Sequence, residues 1–206
     1  MQQLDFSSNE DSKKSKSFQK QESSLEYFEK VMAEELAQFP RIFREAFDET
    51  MNYLSRYPPS TYPASLKAQL MSFHTRRLMS EAFPALFGTK GQRFFIEKAG
   101  YRLYFKKFDR NLKPMNNPTR NSDRILNGQY EIFPEYVLIE VFAGYQVNKT
   151  KDYITGMFVV RFVRNQAQWV IDLSKFEGPG DSFLGIQPTG PSPDEDDGIV
   201  VIPKAI

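Results

Sequence analysis

At Gly88 the apolar residues of this chain stop recurring every third or fourth position and begin to alternate. That change of period limits the fold more than any composition figure, because helices and strands bury their faces at different spacings. Before it, helical stripes occur three times. Leu25, Phe28, Met32, Leu36 and Phe39 share one face behind Ser24, a residue suited to cap a helix. Pro40 is expected to end that helix and open the next, whose stripe runs Phe43, Phe47, Met51 and Leu54 up to Pro58 and Pro59. A third helix is predicted from Pro63 to Pro84, with Leu66, Leu70, Phe73 and Arg77 or Leu78 facing inward. The short links between them make the three helices neighbours in space.

After Gly88, "RFFIE" and "YRLYFKKF" flank Lys98-Ala99-Gly100 and read as a hairpin. The loop "DRNLKPMNNPTRNSDR" follows, with Ser122 placed to cap a short helical turn. Then come "YVLIEVFAGYQV", "YITGMFVVRFVR" and "QWVIDLS", joined by "NKTKD" and "NQA"; five strands in sequence, with no helix between the last three, read as an antiparallel meander. The expected class is therefore α+β: three N-terminal helices packed on a five-stranded, mainly antiparallel sheet. Residues 1–23 are expected to be a disordered polar tail, and 24–174 a single domain with helices over 24–87 and sheet over 92–174. Residues 175–206 form a Pro/Gly-rich acidic tail, expected to be disordered too, in which "GIVVIP" is the one piece suited to pairing as a strand.

Composition enters by exclusion. The chain has no cysteine, which removes disulfides, thiolate metal sites and cysteine nucleophiles. No run approaches the roughly 18 apolar residues of a membrane span, and the first residues lack the apolar centre of a secretory signal. A cytoplasmic protein that meets no membrane is the expectation. The net charge is +1, so any electrostatic function depends on how charge is distributed.

It is distributed unevenly. Lys98, Arg102, Lys106, Lys107, Arg110, Lys113, Arg120 and Arg124 are opposed within their own stretch only by Asp109 and Asp123, an excess of six positive charges. The tail carries Glu177, Asp181, Asp194, Glu195, Asp196 and Asp197. In "YRLYFKKFDRN", Tyr101, Leu103, Phe105 and Lys107 fall on one face and are expected to meet the core, with Lys107 emerging at its edge. Arg102, Tyr104, Lys106 and Phe108 fall on the other, expected to be half exposed. Two cations around an aromatic ring suit phosphate contacts and base stacking; edge-strand lysines also occur simply to block aggregation. The acidic tail is expected to screen this patch in cis, or else to serve only as a solubilising linker.

Catalytic constellations are scarce. His74, the single histidine, lies beside Arg76 and Arg77 with no carboxylate three or four residues away, which argues against a helical metal site. No Glu-x-Lys nuclease pattern occurs, although Lys106, Lys107, Asp109 and Arg120 remain candidates for a metal-independent phosphodiester site. "GTKGQR" lacks the Gly-Lys-Ser/Thr order of a phosphate loop. Gly144, alone inside a strand, marks a bulge or a close backbone approach. Neither a cofactor nor a metal is expected.

Phe105-Lys106-Lys107-x-Asp109, the Asn116/Asn117-Pro118-Thr119 loop, Gly144-Tyr145 and Trp169 resemble a family of uncharacterised bacterial proteins over roughly residues 62–174. The resemblance implies accessory partners of helix-turn-helix/ImmA-type metallopeptidase regulators on mobile elements, and implies no catalytic residues. The expected role is a non-catalytic component of a mobile-element, toxin–antitoxin-like or phage-defence system. It would dock a partner protein, and nucleic acid as a further partner, through Arg102, Tyr104, Lys106, Lys107, Asp109, Arg110, Lys113, Arg120 and Arg124. His74, Arg76 and Arg77 are secondary candidates. The alternatives are a metal-independent nuclease or toxin, and a phage structural or assembly protein.

Overall fold

A computed structural model of the chain describes residues 24–63, 65–115 and 138–177. The N-terminal tail, Arg120, Arg124, the Asn-Pro-Thr loop, the Ser122 turn and the "GIVVIP" segment lie outside the described residues.

Ser24 caps α1 (Leu25–Val31) by accepting a hydrogen bond from the Tyr27 amide at 3.1 Å. The chain breaks at Met32, not at Pro40. Helix α2 (Ala33–Leu54) then runs straight through the proline, which is buried within it. Proline's φ already suits a helix, so the continuous helix gives up only the amide that would have met the Leu36 carbonyl, plus local crowding. The stripe survives the break: Phe28, Met32, Leu36, Phe39, Phe43 and Phe47 are all buried. A short 3-10 turn (Pro59–Thr61) leads to α3 (Leu66–Ala82). Here the expected inner face is rotated. Met71, Thr75, Leu78 and Met79 are buried, whereas Phe73 is 61% exposed.

The sheet has six strands: β1 (Phe87–Lys90), β2 (Arg93–Lys98), β3 (Tyr101–Lys107), β4 (Ile139–Val147), β5 (Ile154–Val163) and β6 (Gln166–Asp172). Their spatial order follows the sequence. Strand β1 was absent from the five-strand expectation because it is four residues long, contains Gly88 and leaves Thr89 and Lys90 exposed. Two hairpins turn on paired left-handed residues, Ala99-Gly100 and Arg164-Asn165, the backbone that a tight two-residue connection requires. The last turn is thus Arg164-Asn165 and not "NQA".

Most neighbours are antiparallel, but β3 and β4 run parallel, from Tyr101↔Ile139 to Lys107↔Tyr145. A parallel pair needs a long crossover, and residues 108–138 supply one. The helices cover one sheet face. Phe28 packs on Trp169 and Tyr101, and Phe39 and Phe43 pack on Phe105. A closing 3-10 helix (Leu173–Phe176) buries Leu173 and ties down the chain through Lys175–Glu29 and Arg44–Glu177, the latter at 2.5 Å. The opposite face carries its own buried layer of Phe95, Tyr104, Phe108, Leu112, Phe142, Val160 and Phe162. Among the described residues no helix is long and apolar enough to cross a membrane.

Candidate functional site

Strand β3 carries its cations at both ends, and the ends differ. Beside its start, Lys98 at the end of β2 donates to the buried Glu35 carboxylate at 2.7 Å, with Glu34 at 4.0 Å. Arg102 donates to Glu97, its cross-strand partner, at 2.8 and 2.9 Å and lies over the Phe95 ring. Both charges are met by local acids. Two members of the expected patch are therefore occupied in holding the fold.

Tyr104 corrects the expectation of a half-exposed stacking platform. It is 4% exposed, set between Phe95 and Phe142, with its hydroxyl 3.3 Å from Glu140. Burial first, then the Glu140 charge, pushes its phenol pKa up, so the ring stays neutral and inaccessible. Strand alternation puts Phe95, Tyr104 and Phe142 on one face, and that face is a core rather than a solvent side.

At the C-terminal end of β3 the picture reverses. Alternation puts Lys106 on the Tyr104 face, near Arg93, and Lys107 on the helix-covered face. Because β4 runs parallel to β3, its own C-terminal end and the β4–β5 turn arrive at this same edge of the sheet, bringing Lys151. An antiparallel β4 would have carried that turn to the opposite end. From the helix layer comes Lys67, in the first turn of α3. It donates to the Lys151 carbonyl and lies 4.9 Å from the centre of the Phe47 ring. Lys107 and Lys151 are close enough to Lys67 to disfavour its charge, and Lys151 does the same to Lys107. Burial is the main cause of the lowered pKa of Lys67, and Lys107 and Lys151 add to it against the opposing pull of Asp152. Burial, then Lys151, lowers Lys107; burial, then Arg93, lowers Lys106. Under-solvated ammonium groups beside one another form a place where an anion gains. Asp152, the acid nearby, is itself held by Asn148 and Thr150.

The loop after β3 completes the edge. Asp109 accepts from the amides of Asn111 at 2.9 Å and Lys113 at 2.8 Å, and the Met115 amide returns to the Lys107 carbonyl at 2.8 Å. The Asp109 carboxylate thus holds a turn. Arg110 and Lys113 project from that turn, exposed. Lys106 and Lys107 point to opposite faces of β3 by alternation and the Asp109 carboxylate is engaged in the turn, while Arg120, the fourth member of the phosphodiester site considered from sequence, lies outside the described residues. Gly144 marks a close approach, as expected: a Cβ there would stand 1.7 Å from the Lys106 carbonyl oxygen.

The secondary candidates part company. Arg77 clamps α2 to α3, donating to Glu49 at 2.6 Å and to Glu81 at 2.9 Å. His74 Nδ1 lies 2.5 Å from Glu49, in ion-pair range but off hydrogen-bond alignment. The carboxylate missing at helical spacing comes from the neighbouring helix, which no local pattern reveals. Arg76 is exposed and lines a shallow groove with Phe73, Gln92 and Phe94. Among the described residues no three His, Asp or Glu side chains gather as a metal set would. Sequence reading missed Lys67 and Lys151 because each sits far along the chain from the basic stretch. Compared with family models, curated proteins and solved structures, the chain matches none.

Proposed function

We propose that the protein is a non-catalytic docking component that holds an acidic segment of a partner protein on the basic end of its sheet. The observation that carries this reading is the convergence of Lys67, Lys107 and Lys151 from a helix, a strand and a turn, with Asp152 as the acid beside them. Arg110 and Lys113 extend the same edge. Burial of Tyr104 removes the aromatic platform that single-stranded nucleic acid uses, so a carboxylate-rich protein segment fits better than a row of bases. The setting implied by the family resemblance, a regulatory or defence system of a bacterial mobile element, belongs to the same proposal. So does a screening role for the acidic run at residues 194–197, which has the charge of the partner it would exclude.

The test uses fluorescent poly-L-glutamate as the acidic probe, at low salt, against a single-stranded oligonucleotide of equal charge. Lys107→Met with Lys151→Met should weaken probe binding at least about tenfold, the scale on which close charge pairs act at interfaces. Lys98→Met should leave it unchanged. Preference for the oligonucleotide, or equal loss in both variants, would reject the docking reading. A chain ending at Glu177 should bind the probe more tightly than the full chain; equal binding would reject the screening role.

A further inference from the structure

Between α3 and the C-terminal half of β3 lies a cavity of about 170 Å³. An apolar cavity of roughly 150 Å³ accepts one benzene ring, so this one has room for a single ring and one small substituent. Its walls are aromatic. Phe43 and Phe105 line it with centroids 6.2 Å apart, and Phe105 is backed by Phe94, stacked at 5.4 Å with the planes 8° apart. Tyr145 lines it too, its ring 5.9 Å from Phe43.

The polar groups are few and differ in availability. The Thr75 hydroxyl is engaged, donating to the Met71 carbonyl at 2.7 Å. The Tyr145 hydroxyl has no hydrogen-bond partner among the described residues, and burial raises its pKa so that it stays a donor. Lys107 lines the cavity half-buried, with no ion pair among the described residues. Burial and the Lys151 charge both act against its ammonium form. Ser72, exposed, and Lys106, from a strand position that faces the other side of the sheet, also border the space; beside the rings, the Lys107 ammonium and the Tyr145 hydroxyl match a carboxylate, which accepts both bonds and neutralises the charge.

We propose that this cavity binds a single-ring aromatic carboxylate, its ring against Phe43 and Phe105 and its carboxylate on the Lys107 ammonium and the Tyr145 hydroxyl. The inference shares Lys107 with the docking edge but rests on the cavity and on two polar groups, Lys107 and Tyr145, that have no partner among the described residues, and a small molecule alone tests it.

The probe is 4-fluorobenzoate, followed by fluorine NMR with the full chain, beside 4-fluorobenzyl alcohol as its neutral counterpart. The benzoate should saturate with a dissociation constant of about 1 mM or tighter, and the alcohol should bind at least about tenfold more weakly. Tyr145→Phe, which keeps the ring, should weaken the benzoate about threefold or more, and Lys107→Met about tenfold or more. Lys98→Met, although it costs stability, should leave the benzoate affinity of the folded protein unchanged. Because the acid–alcohol comparison uses the unaltered protein, the result does not depend on any variant folding. No saturation by about 10 mM, equal affinity for acid and alcohol, or benzoate binding indifferent to Lys107→Met would each overturn the proposal.

Discussion

Gly144 is the residue at which the account is most exposed to a direct check. A methyl group there meets the Lys106 carbonyl at 1.7 Å, and backbone cannot yield as a side-chain tip does. Gly144→Ala should destabilise the protein by at least about 2 kcal/mol in urea unfolding, the upper part of the range for overpacked cores. A loss under about 0.5 kcal/mol, typical of a surface change, would mean that the strands do not approach this closely. Lys98 and Asp109 test the separation of structural from available charge. Lys98→Met strands the buried Glu35 carboxylate and should cost about 2 kcal/mol or more, whereas Lys113→Met on the exposed turn should cost almost nothing. Asp109→Ala removes the acceptor for two amides and should cost about 1–2 kcal/mol; Asp109→Asn keeps a side-chain oxygen and should recover most of that. If Asn and Ala behave alike, the carboxyl group does something other than hold the turn. At this scale Gly144 was legible from sequence, since an isolated glycine in a strand usually marks a close approach. Tyr104 was not. Alternation assigns it to a face but says nothing of what covers that face.

The elements were read best where apolar spacing alone decides them. The stripe from Phe28 to Phe47 is buried as its spacing demands, even though the helix break falls at Met32. Pro40 misled because a proline is punctuation only when packing does not override it, and here Phe39 and Phe43 anchor the helix on both sides of it. Magnitudes predict the outcome of removing it. A helix-interior proline costs about 3 kcal/mol relative to alanine, while two lost buried methylenes cost about 1.6 kcal/mol. Pro40→Ala should therefore stabilise the protein by about 1 kcal/mol, read as a higher urea midpoint; a clear loss would show that the ring's packing outweighs the restored hydrogen bond. Helix α3 was harder to read because two apolar faces overlap in its sequence. Packing against α2 selects Met71, Leu78 and Met79, leaving Phe73 outside. Strand β1 offered too little pattern in four residues.

For the molecule as a whole, the decisive feature is the parallel pairing of β3 with β4. A meander was the simpler reading of strands that follow one another, and nothing in their alternation distinguishes the two arrangements. The length of the connection was the available signal, since residues 108–138 exceed the dozen or so that a crossover needs. The consequence reaches function. Parallel pairing brings Lys107 and Lys151 to one edge, where Lys67 joins them, while Lys98 and Arg102 stay at the other end with their own acids. Among the described residues, a run of cations that looks continuous in sequence is thus divided by about 20 Å of strand, with Lys98 and Arg102 on their acids at one end and Lys107 at the other. Mapping amide chemical shifts on addition of poly-L-glutamate tests this most directly. The account predicts perturbations at residue 67, at 106–113 and at 148–152, with residues 93–102 silent. Shifts concentrated at 93–102, or spread evenly over both ends of the strand, would contradict it.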